Sequence, residues 1–321
     1  MEAAQEGPRR IQNPQTITLP GGARVEFKHF HSPAIGKDAD YSIFFPPAYD
    51  KEPSARFPVV YFLHGLWNDD TSWAVARYGD IPAQLDDLMI KGELPEFVVV
   101  NPNGENSFYT DYLDGTHNYE QMVFDDLIKH VDSTYRVIAD RQARALGGVS
   151  MGGYGALKIG MKHPELFAAI AGVSPIVFPG DDPSEYFRDS SSRMSQYLVH
   201  ALEPVYGMPF DKKHWHENSV LWLARNEDLD HVKIFFAYGT ADRLKIFFAY
   251  GTADRYNHAF PLAAGIKDLD ETLTARHVPH VYRVYENGPH GWQLVVDHLE
   301  EVAKFLSQSF SGEAVAPSTT K

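Results

Sequence analysis

Gly148-Val149-Ser150-Met151-Gly152 is the short stretch whose residue types are best arranged for chemistry. An apolar run, 143–149, gives way there to a helical pattern, 151–163. A serine at such a junction needs glycine on both sides, because a Cβ would collide with neighbouring backbone in so sharp a strand-to-helix turn. The turn lifts the Ser150 hydroxyl at the carboxyl end of a buried strand. A serine hydroxyl is a poor nucleophile near neutral pH, so the site also requires a histidine as base and a carboxylate to hold that histidine in one tautomer. A glycine-rich helix start that serves packing alone is the competing reading, and the strand-turn-helix context argues against it.

The chain has fifteen histidines. His290 is set apart by its place in Asn287-Gly288-Pro289-His290-Gly291-Trp292, after the last apolar run, 281–285, and before the final helical stretch. With the chain order Ser, Asp, His, the base falls on that loop. His277 and His280 flank the start of the run, at the opposite end. His163 and His298 fall within helical stretches. His214 and His216 have the spacing of a metal pair but no matching third ligand, so no metal and no cofactor are expected.

The carboxylate should close a strand and precede a helix. The stretch KIFFAYGTADR occurs twice, at 233–243 and 245–255, with Leu244 between the copies. The two cannot be adjacent parallel strands, because a parallel crossover needs about a dozen residues or more. Asp254 runs straight into a helical stretch, 258–275, with Asn257 available as its cap. Asp254 is therefore the preferred acid, with the second copy as the sheet strand, and Asp242 is the alternative. Nothing similar recurs elsewhere, so the repeat is not a solenoid period, and a recent tandem duplication or an assembly error in the underlying sequence is the simpler account.

A tetrahedral oxyanion would need two N–H donors. The run 57–63 ends in His64-Gly65-Leu66-Trp67, a loop able to present the Leu66 N–H, and Met151 at the helix start supplies the second. Such a loop works through its backbone, so His64 reads as a hydrogen-bonded structural residue.

Positioning these groups requires a particular set of elements. Short apolar runs at 39–45, 57–63, 97–100, 143–149, 167–173, one KIFFAY copy and 281–285 alternate with helical stretches at 81–90, 120–135, 151–163, 258–275 and 292–310. That alternation predicts an α/β fold, a mostly parallel central sheet covered by helices on both faces. An antiparallel lead-in occupies 16–19 and 25–30. The long excursion 176–230, with helical pieces at 194–202 and 215–224, predicts a small helical cap. The expected organisation is an N-terminal lead-in (1–31), one catalytic domain (32–310) and a disordered tail (311–321).

Composition narrows the partners. Hydrophobic residues make up 44% of the 321 and charged residues 22%, an ordinary globular balance. The formal net charge of -14 repels phosphate backbones and no basic cluster offsets it, so nucleic acid is not an expected partner. The absence of cysteine excludes disulfides and thiolate chemistry. No apolar segment approaches the ~20 residues of a membrane span. The chain reads as soluble, either cytoplasmic as written or secreted after loss of a signal peptide, and its oligomeric state is open.

The sequence resembles the esterase branch of the α/β-hydrolase superfamily that includes feruloyl and acetylxylan esterases, S-formylglutathione hydrolases (esterase D) and mycolyltransferases. The likeness covers roughly residues 32–310. It rests on FPPAYD from Phe45, YFLHGLWND from Tyr61, SFYTDY from Ser107, GGVSMGGYGAL from Gly147, HPELF from His163, YGTAD in both repeat copies and GPHGW from Gly288. The resemblance implies an α/β-hydrolase fold and a serine esterase with Ser150 as nucleophile, His290 as base, an aspartate from a YGTAD copy as acid, and Leu66 and Met151 as oxyanion donors. It implies a small-molecule or carbohydrate ester as substrate, short-chain acyl or feruloyl. Trp67, Tyr109 and Trp292 are the residues expected to border that substrate. GPHGW departs from the form usual in S-formylglutathione hydrolases, which makes glutathione thioesters the less favoured substrate. An acyltransferase of the mycolyltransferase kind, and a non-catalytic binding protein, are the further alternatives.

Overall fold

The computed structural model describes residues 14–74, 80–179, 193–240, 262–308 and 310. The start of the lead-in, part of the cap excursion, the tail from 311, and both Asp242 and Asp254 lie outside these residues.

The β-rich runs form one nine-stranded sheet: β1 (Ile17–Thr18), β2 (Arg24–Ser32), β3 (Lys37–Phe45), β4 (Val59–Leu63), β5 (Val98–Pro102), β6 (Arg144–Val149), β7 (Ala169–Val173), β8 (Lys233–Gly239) and β9 (His280–Tyr285). Their spatial order is β1-β2-β3-β5-β4-β6-β7-β8-β9. The first three strands pair antiparallel with one another, and β3 pairs antiparallel with β5. From β5 through β9 every pairing is parallel. The central strands β4 to β7 are buried along their whole length, as strands covered on both faces must be.

Helices link the strands: α1 (Ile81–Ile90), α2 (Tyr119–Gln121) and α3 (Ile128–Thr134) joined by a π-helical turn at Met122–Leu127, α4 (Met151–Lys162), α5 (Arg193–Tyr206), α6 (Lys212–Asn218), α7 (Val220–Asn226), α8 (Leu262–Ala275), α9 (Trp292–Asp297) and α10 (Leu299–Gln308). The pleat divides β4 between two cores. Val59, Tyr61 and Leu63 pack with α2 to α8, while Val60 and Phe62 pack with α1, α9 and α10. Each such aliphatic or aromatic side chain contributes roughly 1.5 to 3 kcal/mol by leaving water.

The cap pieces α5 to α7 lie between β7 and β8 and send Leu202, Val205, Tyr206, Trp215, Leu221 and Leu223 into the first of these cores. Ser219 splits what the sequence read as one helix: its hydroxyl caps α7 by accepting from the Trp222 N–H.

The preferred assignment of the repeat needs correction. β8 is the first copy, Lys233–Gly239, and the second copy lies outside the described residues. The link from α7 is short, and Leu229 and Val232 in it are buried, so the chain enters the sheet as soon as it leaves the cap.

Candidate active site

The carboxyl ends of β4, β6, β8 and β9 meet at one edge of the sheet, where open α/β folds hold their ligands. Ser150 follows β6 with φ 57° and ψ -116°, a conformation strained for any residue with a side chain. It is over-determined by its neighbours: the Ser150 N–H donates to the Val173 carbonyl at 2.9 Å, and its own carbonyl accepts from Tyr154 N–H at 3.0 Å. The flanking glycines are obligatory. A Cβ on Gly148 would lie 2.2 Å from the Gly152 carbonyl oxygen, and one on Gly152 would lie 2.0 Å from that of Leu63.

His290 stands on the loop after β9, and its Nε2 lies 2.8 Å from Ser150 Oγ. The loop is laced to the end of β8. Thr240 N–H donates to the Tyr285 carbonyl at 2.8 Å, and the Asn287 N–H donates to Thr240 Oγ1 at 2.7 Å. Ser150 and His290, far apart in the chain, are thus brought together; both repeat aspartates fall outside the described residues.

Leu66 follows the end of β4, and Met151 is the first residue of α4, where backbone N–H groups lack intrahelical acceptors. Among the described residues neither of these two N–H groups has a hydrogen-bond acceptor. Gly65 packs directly on the nucleophile, with its ideal Cβ position 3.3 Å from Ser150 Cβ. The site therefore combines a hydroxyl, an imidazole in contact with it and two N–H groups beside it. Such a set can attack a carbonyl carbon and hold the resulting oxyanion.

The three residues expected to border the substrate have different fates. Trp67 is half-buried at the site's rim, at φ 59°, with its N–H donating to Asn106 Oδ1 at 2.9 Å. Trp292 is 4% exposed; its ring packs on Phe62, and its indole N–H donates to Asn68. Tyr109 is 0% exposed, a core side chain rather than part of an open surface. Its ring fills the space left by Gly104 and Gly155, where any Cβ would approach it within 2.2 Å and 2.9 Å respectively.

A buried polar cluster lies behind this site. Lys158 on α4 donates to the Tyr109 carbonyl at 2.7 Å, Thr110 Oγ1 at 2.8 Å, Glu120 Oε2 at 2.6 Å and Asn218 Oδ1 at 3.3 Å. Lys162 reaches Glu120 Oε1 at 2.6 Å and His163 lies 3.6 Å from the same oxygen. Sequence reading missed this cluster, because a lysine and a glutamate in helical stretches look like ordinary solvated charges. His64 is wholly buried, and burial lowers its pKa, leaving the ring neutral.

The sequence profile of a family described as "putative esterase" matches residues 32–304. An endo-1,4-beta-xylanase/feruloyl esterase of Xylanibacter ruminicola is 31% identical over 147 residues, 43% of this chain and 20% of that protein. An acetyl esterase of Caldicellulosiruptor saccharolyticus is 30% identical over 121 residues, 38% of this chain and 42% of that one. The matched regions thus span less than half the length of either relative. Among solved structures, a ferulic acid esterase superposes with a TM-score of 0.69 at 25% identity, covering 90% of this chain and 98% of that one. The family match extends over most of the chain and the sheet is the one its structural neighbours share: the chain belongs to the putative esterase family and has the α/β-hydrolase fold.

Proposed function

We propose that the protein hydrolyses acetyl or feruloyl esters of carbohydrates through an acyl-enzyme on Ser150. The observation that carries this reading is the 2.8 Å contact between Ser150 Oγ and His290 Nε2 at the carboxyl edge of the sheet. Ser150 Oγ attacks the ester carbonyl carbon while His290 Nε2 takes the hydroxyl proton. The carbonyl oxygen becomes an oxyanion that accepts from the Leu66 and Met151 N–H groups. Collapse of this intermediate breaks the ester C–O bond, and His290 returns the proton to the departing sugar hydroxyl. Water, deprotonated by His290, then releases the acid and restores Ser150. The names of the relatives, a feruloyl esterase and an acetyl esterase, support the choice of acyl group.

For the carboxylate that orients His290 we now favour Asp242 over Asp254. Asp242 follows β8, and the chain just before it, Thr240, is hydrogen-bonded to the His290 loop. Asp242→Asn should lose far more turnover than Asp254→Asn, and the reverse ranking would reassign the acid. A burst of p-nitrophenol from p-nitrophenyl acetate, absent in Ser150→Ala, tests the acyl-enzyme; an undiminished burst in that variant sinks it. Comparison of acetyl, butyryl and feruloyl esters reads the substrate class.

A further inference from the structure

The Gly65–Leu66 peptide is braced from behind by a buried assembly that the chemistry above does not use. The Gly65 carbonyl accepts from His64 Nδ1–H at 2.8 Å and from the Asn68 N–H at 3.2 Å. The ring's other nitrogen, Nε2, lies 3.0 Å from the Gly104 N–H. A backbone N–H can only donate and a carbonyl can only accept, so His64 must be neutral with its proton on Nδ1. The depression of its pKa by burial points the same way.

A trans peptide directs its C=O and N–H to opposite sides. Holding the Gly65 carbonyl against His64 and Asn68 therefore turns the Leu66 N–H the other way. Rotation of this peptide would break both bonds to the carbonyl and remove an oxyanion donor.

The brace continues into the helix that carries the nucleophile. The His64 N–H donates to the Tyr109 hydroxyl at 3.0 Å, and the two rings meet edge to face, with centroids 5.7 Å apart. Tyr109 is held by Lys158 on its carbonyl and lies against Gly155, both of α4. Its backbone, at φ 49°, occupies a conformation costly for a tyrosine, of order 1 to 3 kcal/mol, which the surrounding contacts must offset. Oxyanion loop and nucleophile helix are thereby fixed to each other through His64 and Tyr109.

We infer that Tyr109 and His64 are positioning residues that fix the orientation of the Leu66 N–H for the developing oxyanion, neither of them touching the substrate. The inference rests on the acyl-enzyme reading. Tyr109→Phe is the decisive variant, because it removes one hydroxyl and keeps the ring that fills the core. Loss of a whole oxyanion donor costs ~10²- to 10³-fold in turnover, and a donor freed to rotate should fall between about tenfold and that limit. The expected result is a kcat reduced in this range, KM within about twofold, and affinity for an alkylboronic acid, which forms a tetrahedral adduct on Ser150, reduced in step with kcat/KM.

His64→Leu should behave likewise, and His64→Asn, whose amide nitrogen can replace Nδ1–H toward Gly65, should recover most of the loss. Should the His64 variants fail to fold, Tyr109→Phe still decides. Unchanged kcat in Tyr109→Phe, a raised KM with kcat preserved, or a lowered kcat with unchanged boronate affinity would each overturn the inference. A parent enzyme without Ser150-dependent ester hydrolysis would overturn instead the reading on which it rests.

Discussion

Lys158→Met puts the buried ion cluster to its hardest test. Methionine keeps an unbranched chain of similar volume, so the change removes charge and donors rather than packing. Glu120, whose side chain is 3% exposed, loses its most buried partner, and the Tyr109 carbonyl and Thr110 hydroxyl lose a donor. Breaking a buried pair at one member typically costs ~3 to 5 kcal/mol. Lys162 stays 2.6 Å from the other Glu120 oxygen but is 27% exposed, which compensates only in part. The expected loss is therefore at the low end, about 3 kcal/mol, from a total stability of order 5 to 15 kcal/mol. Urea unfolding followed by the fluorescence of the five tryptophans reads it as a lower midpoint at unchanged slope.

The two members of the pair respond oppositely to the fold. Burial pushes the Glu120 pKa up, but Lys158, His163 and Lys162 pull it further down, to well below the usual carboxylate range. Burial pushes the Lys158 amine down to about 8, against the pull of Glu120. The ionised carboxylate is favoured in the folded chain and the ammonium is not, so the intact pair adds little net stability even though splitting it is expensive. Glu120→Gln/Lys158→Met should accordingly recover most of the loss. A single-variant loss below about 1 kcal/mol, the scale of an exposed pair, or a double variant no more stable than the single, refutes the reasoning.

The same cluster sets part of the acid limb. The folded pKa of Glu120 lies below its ordinary value of 4.5, so its contribution is fully present above that pH and drains away as the pH falls further. Glu120→Gln should flatten the decline of the urea midpoint below pH 4.5, and an unaltered acid limb would count against the assignment. On the other face of the sheet, a cavity of about 40 Å³ is lined by Val60, Trp73, Leu85, Val99, Trp292 and Ala303 among others. Ala303→Val should fill most of it and add up to ~1 kcal/mol, at roughly 24 cal/mol per Å³; a lowered melting temperature would show the space to be too tight. Gly152→Ala should lose at least ~10²-fold in p-nitrophenyl acetate turnover, since displacing the nucleophile by an ångström has that effect. Activity within tenfold of the parent would mean that the Leu63 carbonyl moves aside freely.

Ser150 and its partner imidazole were legible because glycines mark them: backbone crowding at a sharp turn leaves a signature in residue type. The mostly parallel sheet followed from alternation of apolar runs and helical stretches, whereas the order of its strands did not. The repeat was not legible, because two identical stretches present identical local preferences, whereas the burial of Leu229 and Val232 just upstream brings the chain early into β8. Tyr109, expected beside the substrate from the resemblance, is instead buried through contacts that the sequence does not show. Its burial depends on Gly104 and Gly155 converging on one ring, a pairing across the chain that spacing does not reveal. The π-helical turn at Met122–Leu127, within a regular apolar period, likewise left no mark in the sequence.

Nucleophile and base stand on strands of unequal security. β6 is hydrogen-bonded on both sides and buried at all six of its positions. β9, which carries the His290 loop, pairs among the described strands with β8 alone, and Val284 in it is 45% exposed. Regions with fewer buried contacts open at lower free energy than the global transition. A brief detachment of this margin would withdraw the imidazole while Trp73 and Trp215 stay in their cores. Inactivation in dilute urea should therefore run ahead of the fluorescence change, and the enzyme's working ceiling would be set by the grip of its outermost strand rather than by its melting point.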